Sequence, residues 1–378
     1  TCALPICGNL GTALKENIMA NLHIHGGDVY RYPHMLDFSA NCNPYGMPEG
    51  VKKAAKEAVE KADCYPDVEC TALRKALSLK EQAPMEQIIC GNGAADLIFG
   101  LVLALKPKKA LLPAPSFAEY EQALQASGCE IRHFFLREEE EFVPGQDFIE
   151  EITEDTDMVF FCNPNNPTGV LKDLDYIKKI AEKCRQCGTF LVLDECFVDF
   201  TEQPENYTMK PFLDEYSNLF LVKAFTKKYA MAGLRLGYGF CSNTEVLEHM
   251  HRVMQPWNVS VVAQAAGEAA LKEKDYAEET LKKIQIEKEI LLKGLKARGL
   301  RIYGSKANYI FFQGPENLRE DGLKQGISIR DCSNYVGLGE GYYRVAVRTK
   351  EENKKLLDAL DAIQRQSGKE EGLWQKQL

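Results

Sequence analysis

Between about residues 85 and 240, short apolar runs alternate with longer stretches whose apolar positions recur at helical spacing. That is the pattern of βαβ units around a largely parallel sheet. The runs at 88–90, 110–112, 158–162, 190–193 and 219–222 predict buried strands. Residues 94–105, mainly apolar, and 176–187, with Ile177, Ile180, Ala181 and Cys184 on one face, predict helices. Farther on, 275–298 puts Leu281, Ile284, Leu291 and Leu295 on one helical face, and Gly299 follows as a stop. Strands near 309–312 and 343–347 and a helix at 351–365 complete a smaller α+β unit. The expected fold class is therefore α/β: a large domain over 42–270 with a mainly parallel sheet flanked by helices, and a smaller α+β domain formed by 1–41 and 271–378. A chain of 378 residues suits two cores better than one.

Composition narrows the function classes. With 45% hydrophobic and 27% charged residues, and no run near the roughly 20 apolar residues of a membrane span, a soluble protein is expected. Lys15 and Glu16 interrupt the N-terminal stretch, so a secretory signal is not expected and the cytoplasm is the default. A net charge of −9 argues against nucleic acid as a partner. The 13 cysteines are scattered and odd in number, which suits free cytosolic thiols. Cys184 and Cys187, or Cys2 and Cys7, lack further ligands at suitable spacing, so no metal is expected. The chain shows no internal repeat.

Ligands of open parallel sheets bind beyond the carboxyl ends of the strands, where loops and helix N-termini converge. Four such places carry candidate chemistry. The run at 158–162 leads into Asn163-Pro-Asn-Asn-Pro-Thr-Gly169, a turn constrained by two prolines that aims Asn166 at the strand ends. The run at 190–193 leads into Asp194-Glu195, and an acid straight after a buried strand calls for a cationic partner. After 219–222 come Thr226, Lys227 and Arg235, bringing a hydroxyl, an amine and a phosphate-suited guanidinium to one rim. Gly91-Asn92-Gly93 opens the helix at Ala94, where free N–H groups favour an anion. Singly, each has a plainer explanation: the glycines as a turn, Lys227 as a solvated charge, Asp194 as a cap. Together, in this order, they describe a site for a phosphorylated aromatic aldehyde. A nucleotide-binding protein fits less well, because G-x-G-x-x-G and the P-loop lysine are missing. A dimeric binding protein that kept such a fold is the non-enzymatic alternative.

At these residues the chain resembles the fold-type I pyridoxal-phosphate family typified by aspartate aminotransferase. Ala224-Phe-Thr-Lys-Lys-Tyr-Ala-Met-Ala-Gly-Leu-Arg-Leu-Gly237 resembles the family's lysine motif. The resemblance implies pyridoxal 5'-phosphate as cofactor, with Lys227 as the Schiff-base lysine, Asp194 on the pyridine nitrogen and Asn166 on the ring hydroxyl. It further implies that Arg235, Thr226 and the N–H groups of Gly93, Ala94 and Ala95 hold the phosphate and that Phe117 stacks on the ring. Tyr65 resembles the tyrosine such enzymes lend to a neighbouring subunit, which implies a homodimer. Two positions depart from the pattern: Ala224 stands where a hydroxyl residue is common, and Phe197 where a tyrosine is. One lost phosphate hydrogen bond costs roughly 1 kcal/mol, which the other donors absorb.

The likeness spans about 22–365. Within the family it runs closest to enzymes that decarboxylate phosphorylated small amino acids, through His25-Gly-Gly27, Leu36-Asp-Phe-Ser-Ala-Asn-Cys-Asn-Pro44, Phe197 and Ile329-Arg-Asp-Cys-Ser-Asn334. A transaminase with the same cofactor residues is the alternative. The resemblance makes Arg344 an anchor for the substrate's α-carboxylate, places Arg330 and His25 on its phosphate with Arg348 behind them, and adds Asn43 to the substrate side. From the residues alone, Arg344 is equally an edge charge, His25 a solvated side chain, and Arg330 with Asp331 a surface ion pair.

Overall fold

The computed structural model describes residues 25–366, so the expectations for Cys2, Cys7, the rest of the N-terminal stretch and the last residues lie outside the described residues. The strands are β1 (Leu36–Asp37), β2 (Ile88–Gly91), β3 (Lys109–Ala114), β4 (Glu130–Phe135), β5 (Met158–Cys162), β6 (Phe190–Asp194) and β7 (Leu219–Ala224). They continue with β8 (Gly237–Phe240), β9 (Arg301–Tyr303), β10 (Tyr309–Gln313), β11 (Ile327–Ser328), β12 (Arg330–Asp331) and β13 (Tyr342–Ala346).

Seven of them form one sheet in the order β2-β8-β7-β6-β5-β3-β4. β4, β3, β5, β6 and β7 pair in parallel, while β8 runs antiparallel to both β7 and β2. The expected α/β class with a mainly parallel sheet therefore holds. Why apolar runs rather than alternating ones make these strands follows from the packing. In β5, Val159 and Phe161 enter one core and Met158, Phe160 and Cys162 the other; in β6 and β7, Leu191, Leu193, Leu219 and Leu221 separate in the same way from Val192, Phe220 and Val222. Helices cover both faces, so both sides of β5, β6 and β7 are buried, whereas the edge strand β4 stays partly exposed. The helix Ala94–Leu105 is apolar nearly all round because it lies under the helix Thr244–Val253 and against the sheet.

A second sheet, β12-β13-β10-β9, is antiparallel, and β1 pairs with β11 in parallel. Its core takes Ile284, Leu291 and Leu295 from the helix Lys274–Ala297, with Leu281 half-buried at its margin, as the apolar face predicts. The helix Lys350–Gln366 adds Leu356, Leu360 and Ile363. Among the described residues no helix is long and apolar enough to cross a membrane.

The register brings the chemistry to one rim. Cys162 is level with Asp194, Asp194 with Val222, and Ala224 with Gly237, which is in turn level with Gly91. Because β8 is antiparallel, its first residues, directly after Arg235, arrive at the edge where the parallel strands end. Phe160 lies beneath that edge, fully buried and stacked on Tyr120 with ring centroids 4.8 Å apart. Phe160→Ala should lower stability by about 3–5 kcal/mol, read as a shift of the denaturant midpoint.

Candidate active site

A cavity of about 370 Å³ opens beyond the strand ends, between the large sheet and the β12-β13 edge of the smaller one. Its volume is that of a small-molecule site. On the large-sheet side it meets Ala94, Ala95, Phe117, Asn166, Asp194, Thr226, Lys227 and Arg235; across from them stand His25, Arg330 and Arg344. The structure thus brings together most of the residues singled out in the sequence.

Four others lie elsewhere, among them Arg348, whose guanidinium pairs with Glu352 at 2.9 Å. Gly93 sits behind the wall: its φ is +87°, and a Cβ there would come within 2.6 Å of Nη2 of Arg235, so only glycine lets that guanidinium approach the helix N-terminus. Gly237 does the same for the backbone, since a Cβ would stand 2.6 Å from the amide nitrogen of Ala94. Asn43 is not at the cavity surface; its backbone N–H donates to the carbonyl of Lys227, and its side-chain amide to the carbonyl of Lys228 at 3.0 Å and the hydroxyl of Thr280 at 2.9 Å. Expected at the substrate, it instead holds the lysine turn from behind. Tyr65 is 79% exposed and stacks on Trp257 outside this cavity.

Asp194 is 4% exposed. One carboxylate oxygen accepts from the Cys196 N–H at 2.9 Å, the capping contact expected of an acid at a strand end, and the other accepts from the Tyr120 hydroxyl at 2.7 Å. No lysine, arginine or histidine nitrogen among the described residues makes an ion pair with it. Burial first, and then Asp194 itself, push the Tyr120 hydroxyl well above its ordinary pKa, so it remains a donor. Burial likewise raises the thiols of Cys162 and Cys196, which keep their protons beside the carboxylate.

Lys227 projects from the one-turn helix Phe225–Lys228, with Nζ 5.9 Å from the Phe197 ring centroid. Asn166 is fixed by its turn: neighbouring Asn165 donates to the Pro115 carbonyl and Thr168 hydroxyl, and Tyr309 donates to the Asn165 carbonyl at 2.6 Å.

Arg330 and Arg344 are cross-strand partners in the β12-β13 pair, so both side chains leave the same face of the sheet. Each is 5% exposed. Arg344 donates to Oδ1 of Asn166 and, at 3.0 Å, to the Ser39 carbonyl. Arg330 donates to the Asp331 carbonyl and, at 2.8 Å, to Oδ1 of Asn334. The Asp331 carboxylate is turned to the Ser333 N–H, so the surface ion pair that the sequence leaves open is not formed. Neither guanidinium has a carboxylate partner among the described residues. Two adjacent buried cations without counter-charge form a receptor for anions.

Glu119 and Tyr120 were not foreseen. They follow Phe117 in the first turn of the helix Ala118–Ala126, and an acid and a tyrosine directly after Pro115-Ser-Phe were the available signal. Among the described residues no group of three or more His, Cys, Asp or Glu side chains is placed to hold a metal ion.

Residues 33–360 match the family described as aminotransferase class I and II. The chain belongs to that family. Within it, the chain is 38% identical to threonine-phosphate decarboxylase of Salmonella typhimurium over 89% of this chain and 95% of that one. It is 31% identical to an adenosylcobalamin biosynthesis bifunctional protein of Leptospira interrogans, over 91% of this chain and 41% of that one. Among solved structures, histidinol-phosphate aminotransferase from Clostridium acetobutylicum is similar with a TM-score of 0.82 and 30% identity, over 88% of this chain and all of that one.

Removing the hydroxyl in Tyr120→Phe leaves one oxygen of a buried carboxylate unpaired. The variant should lose about 1–3 kcal/mol of stability in chemical denaturation.

Proposed function

We propose that the chain is a cytoplasmic pyridoxal-phosphate-dependent decarboxylase of L-threonine O-3-phosphate or L-serine O-phosphate, releasing an amino-alcohol phosphate. The paired buried guanidiniums carry the reading. A substrate with a carboxylate and a phosphate supplies the two anions that Arg344 and Arg330 lack, with His25 at the same side of the cavity. The Salmonella relative supports the reaction, and the Leptospira relative supports a place for the product in the linker of the cobamide nucleotide loop. Free cysteines throughout the described chain fit a reducing compartment.

The site fits the cofactor on its own features. Asp194 is a buried carboxylate with two hydrogen bonds and no cation, which suits a protonated pyridine nitrogen. Thr226, Arg235 and the N-terminus of the helix Ala94–Leu105 stand together for a phosphate. Phe117 offers a ring face and Asn166 an amide for the ring hydroxyl, while Lys227 supplies the amine that holds the aldehyde. Bound there, pyridoxal phosphate would supply an electron sink for the bond broken at the substrate's Cα.

The chain's own residues select that bond. Arg344 grips the carboxylate and Arg330 the phosphate, so two fixed points set the rotation about Cα. Tyr120 holds the Asp194 carboxylate in position through its hydrogen bond. Lys227 would hold the cofactor and, from the same wall of the cavity, would supply the proton that replaces CO₂ at Cα. Tyr65, exposed beside Trp257, serves the phosphate site of a second copy in a homodimer.

A transaminase acting on histidinol phosphate is the second reading, favoured by the similarity to the Clostridium structure. The two differ in co-reactant. With pyridoxal phosphate supplied, the protein should release CO₂ from phosphothreonine or phosphoserine without a keto-acid acceptor; turnover only with a keto acid would establish the transaminase. Lys227→Ala should abolish both turnover and the visible absorbance of the loaded protein, and retained turnover would contradict its role. Arg330→Gln should weaken binding of phosphothreonine by about 2–5 kcal/mol relative to threonine in KM measurements. Equal losses on both substrates would refute the phosphate assignment.

A further inference from the structure

Glu119 reaches the cavity from the first turn of the helix Ala118–Ala126, and none of the roles above uses it. Its Oε1 lies 3.8 Å from Nδ1 of His25. Its Oε2 is buried and has no hydrogen-bond partner. A side chain 17% exposed, with one oxygen shut off from water and donors, carries a negative charge poorly. The ionisable groups that face it are His25 ahead of β1, Asp194 at the end of β6, Lys227, Arg330 on β12 and Tyr335. Burial pushes its carboxyl up to about 7; Lys227 and Arg330 oppose that and Asp194 adds to it.

An anion seated between Arg330 and His25 arrives beside this carboxyl. In its ionised form Glu119 repels such an anion, whereas in its neutral form it presents an O–H, and an O–H donated to an anionic oxygen is a strong bond. We propose that Glu119 contacts the substrate's phosphate as a neutral acid, donating a hydrogen bond to a phosphate oxygen, so that the substrate is bound together with one proton held at position 119. The inference rests on the phosphoamino acid reading. Its sign follows from linkage: anion binding holds the proton more tightly, so affinity is full below the free acid's pKa and falls as pH rises through and above it.

The test compares wild type and Glu119→Gln, both saturated with pyridoxal phosphate, for KM of L-threonine O-3-phosphate from pH 6 to 9. The amide keeps a donor but cannot ionise. The ratio of wild-type KM to variant KM should be flat at the acid end and climb about tenfold per pH unit above ~8. The titration of the substrate and of the other site residues cancels in this ratio. Glu119→Ala, without donor or charge, should also lack the alkaline rise while binding more weakly than Glu119→Gln at every pH, and it serves if the glutamine variant does not fold. Parallel profiles for wild type and Glu119→Gln overturn the proposal. So does a Glu119→Gln that binds worse than wild type throughout, which would make the ionised carboxylate a partner that keeps His25 charged. If wild type turns over neither phosphothreonine nor phosphoserine, the functional reading itself fails and this inference with it; turnover with parallel profiles removes Glu119 alone.

Discussion

Two like charges held side by side under cover, neither in an ion pair with a carboxylate among the described residues, set the character of this molecule. Arg330 and Arg344 are forced together by the register of β12 on β13, an arrangement that strand pairing alone disfavours. It persists because carbonyls and amides take up part of each guanidinium's hydrogen bonding: Ser39 and Asn166 for one, Asp331 and Asn334 for the other. What remains unmet is charge, and charge is what a doubly anionic substrate brings. Removing one partner of such a desolvated pair is costly for the same reason.

The opposite wall has the reverse need. Asp194 is buried and hydrogen-bonded and makes no ion pair with a cation among the described residues. The proposed cofactor, with its cationic ring nitrogen, would meet that need, as the proposed doubly anionic substrate would meet the need of the arginines. The lysine lies between, braced through its backbone by Asn43.

Much of this was legible in the sequence, because strand ends in a parallel sheet are fixed by short apolar runs and the polar residues directly after them are few. The runs before Asn166, Asp194 and Lys227 mark the rim, and β5, β6 and β7 appear there with only their ends adjusted: β7 continues through Lys223, an apolar stem with a buried ammonium paired to Asp199. β8 was not legible, since Gly237-Tyr-Gly-Phe240 is brief and half glycine, and the antiparallel turn that places Arg235 depends on tertiary contact. Glu119 and Tyr120 escaped notice because a helix brings them under the site by rotation and not by position at a strand end. The side-by-side arginines needed a register that no single segment encodes. Asn43 shows the converse: a motif residue can stand behind the cavity wall and hold the turn that presents Lys227.

The pairing of β1 with β11 has a consequence for how the protein comes into being. The backbone oxygen that receives Arg344 belongs to Ser39, 305 positions away along the chain, and Asn41 is joined to Asn308 across 267. Closing loops of that span is entropically expensive and slow, so these contacts assemble late. Because β12 and β13 follow the large sheet in the chain, the large sheet can condense before they are made, leaving the lysine turn open to water until they dock. A chain cut before β12 and β13 would carry Lys227 without the two arginines that stand across the cavity from it.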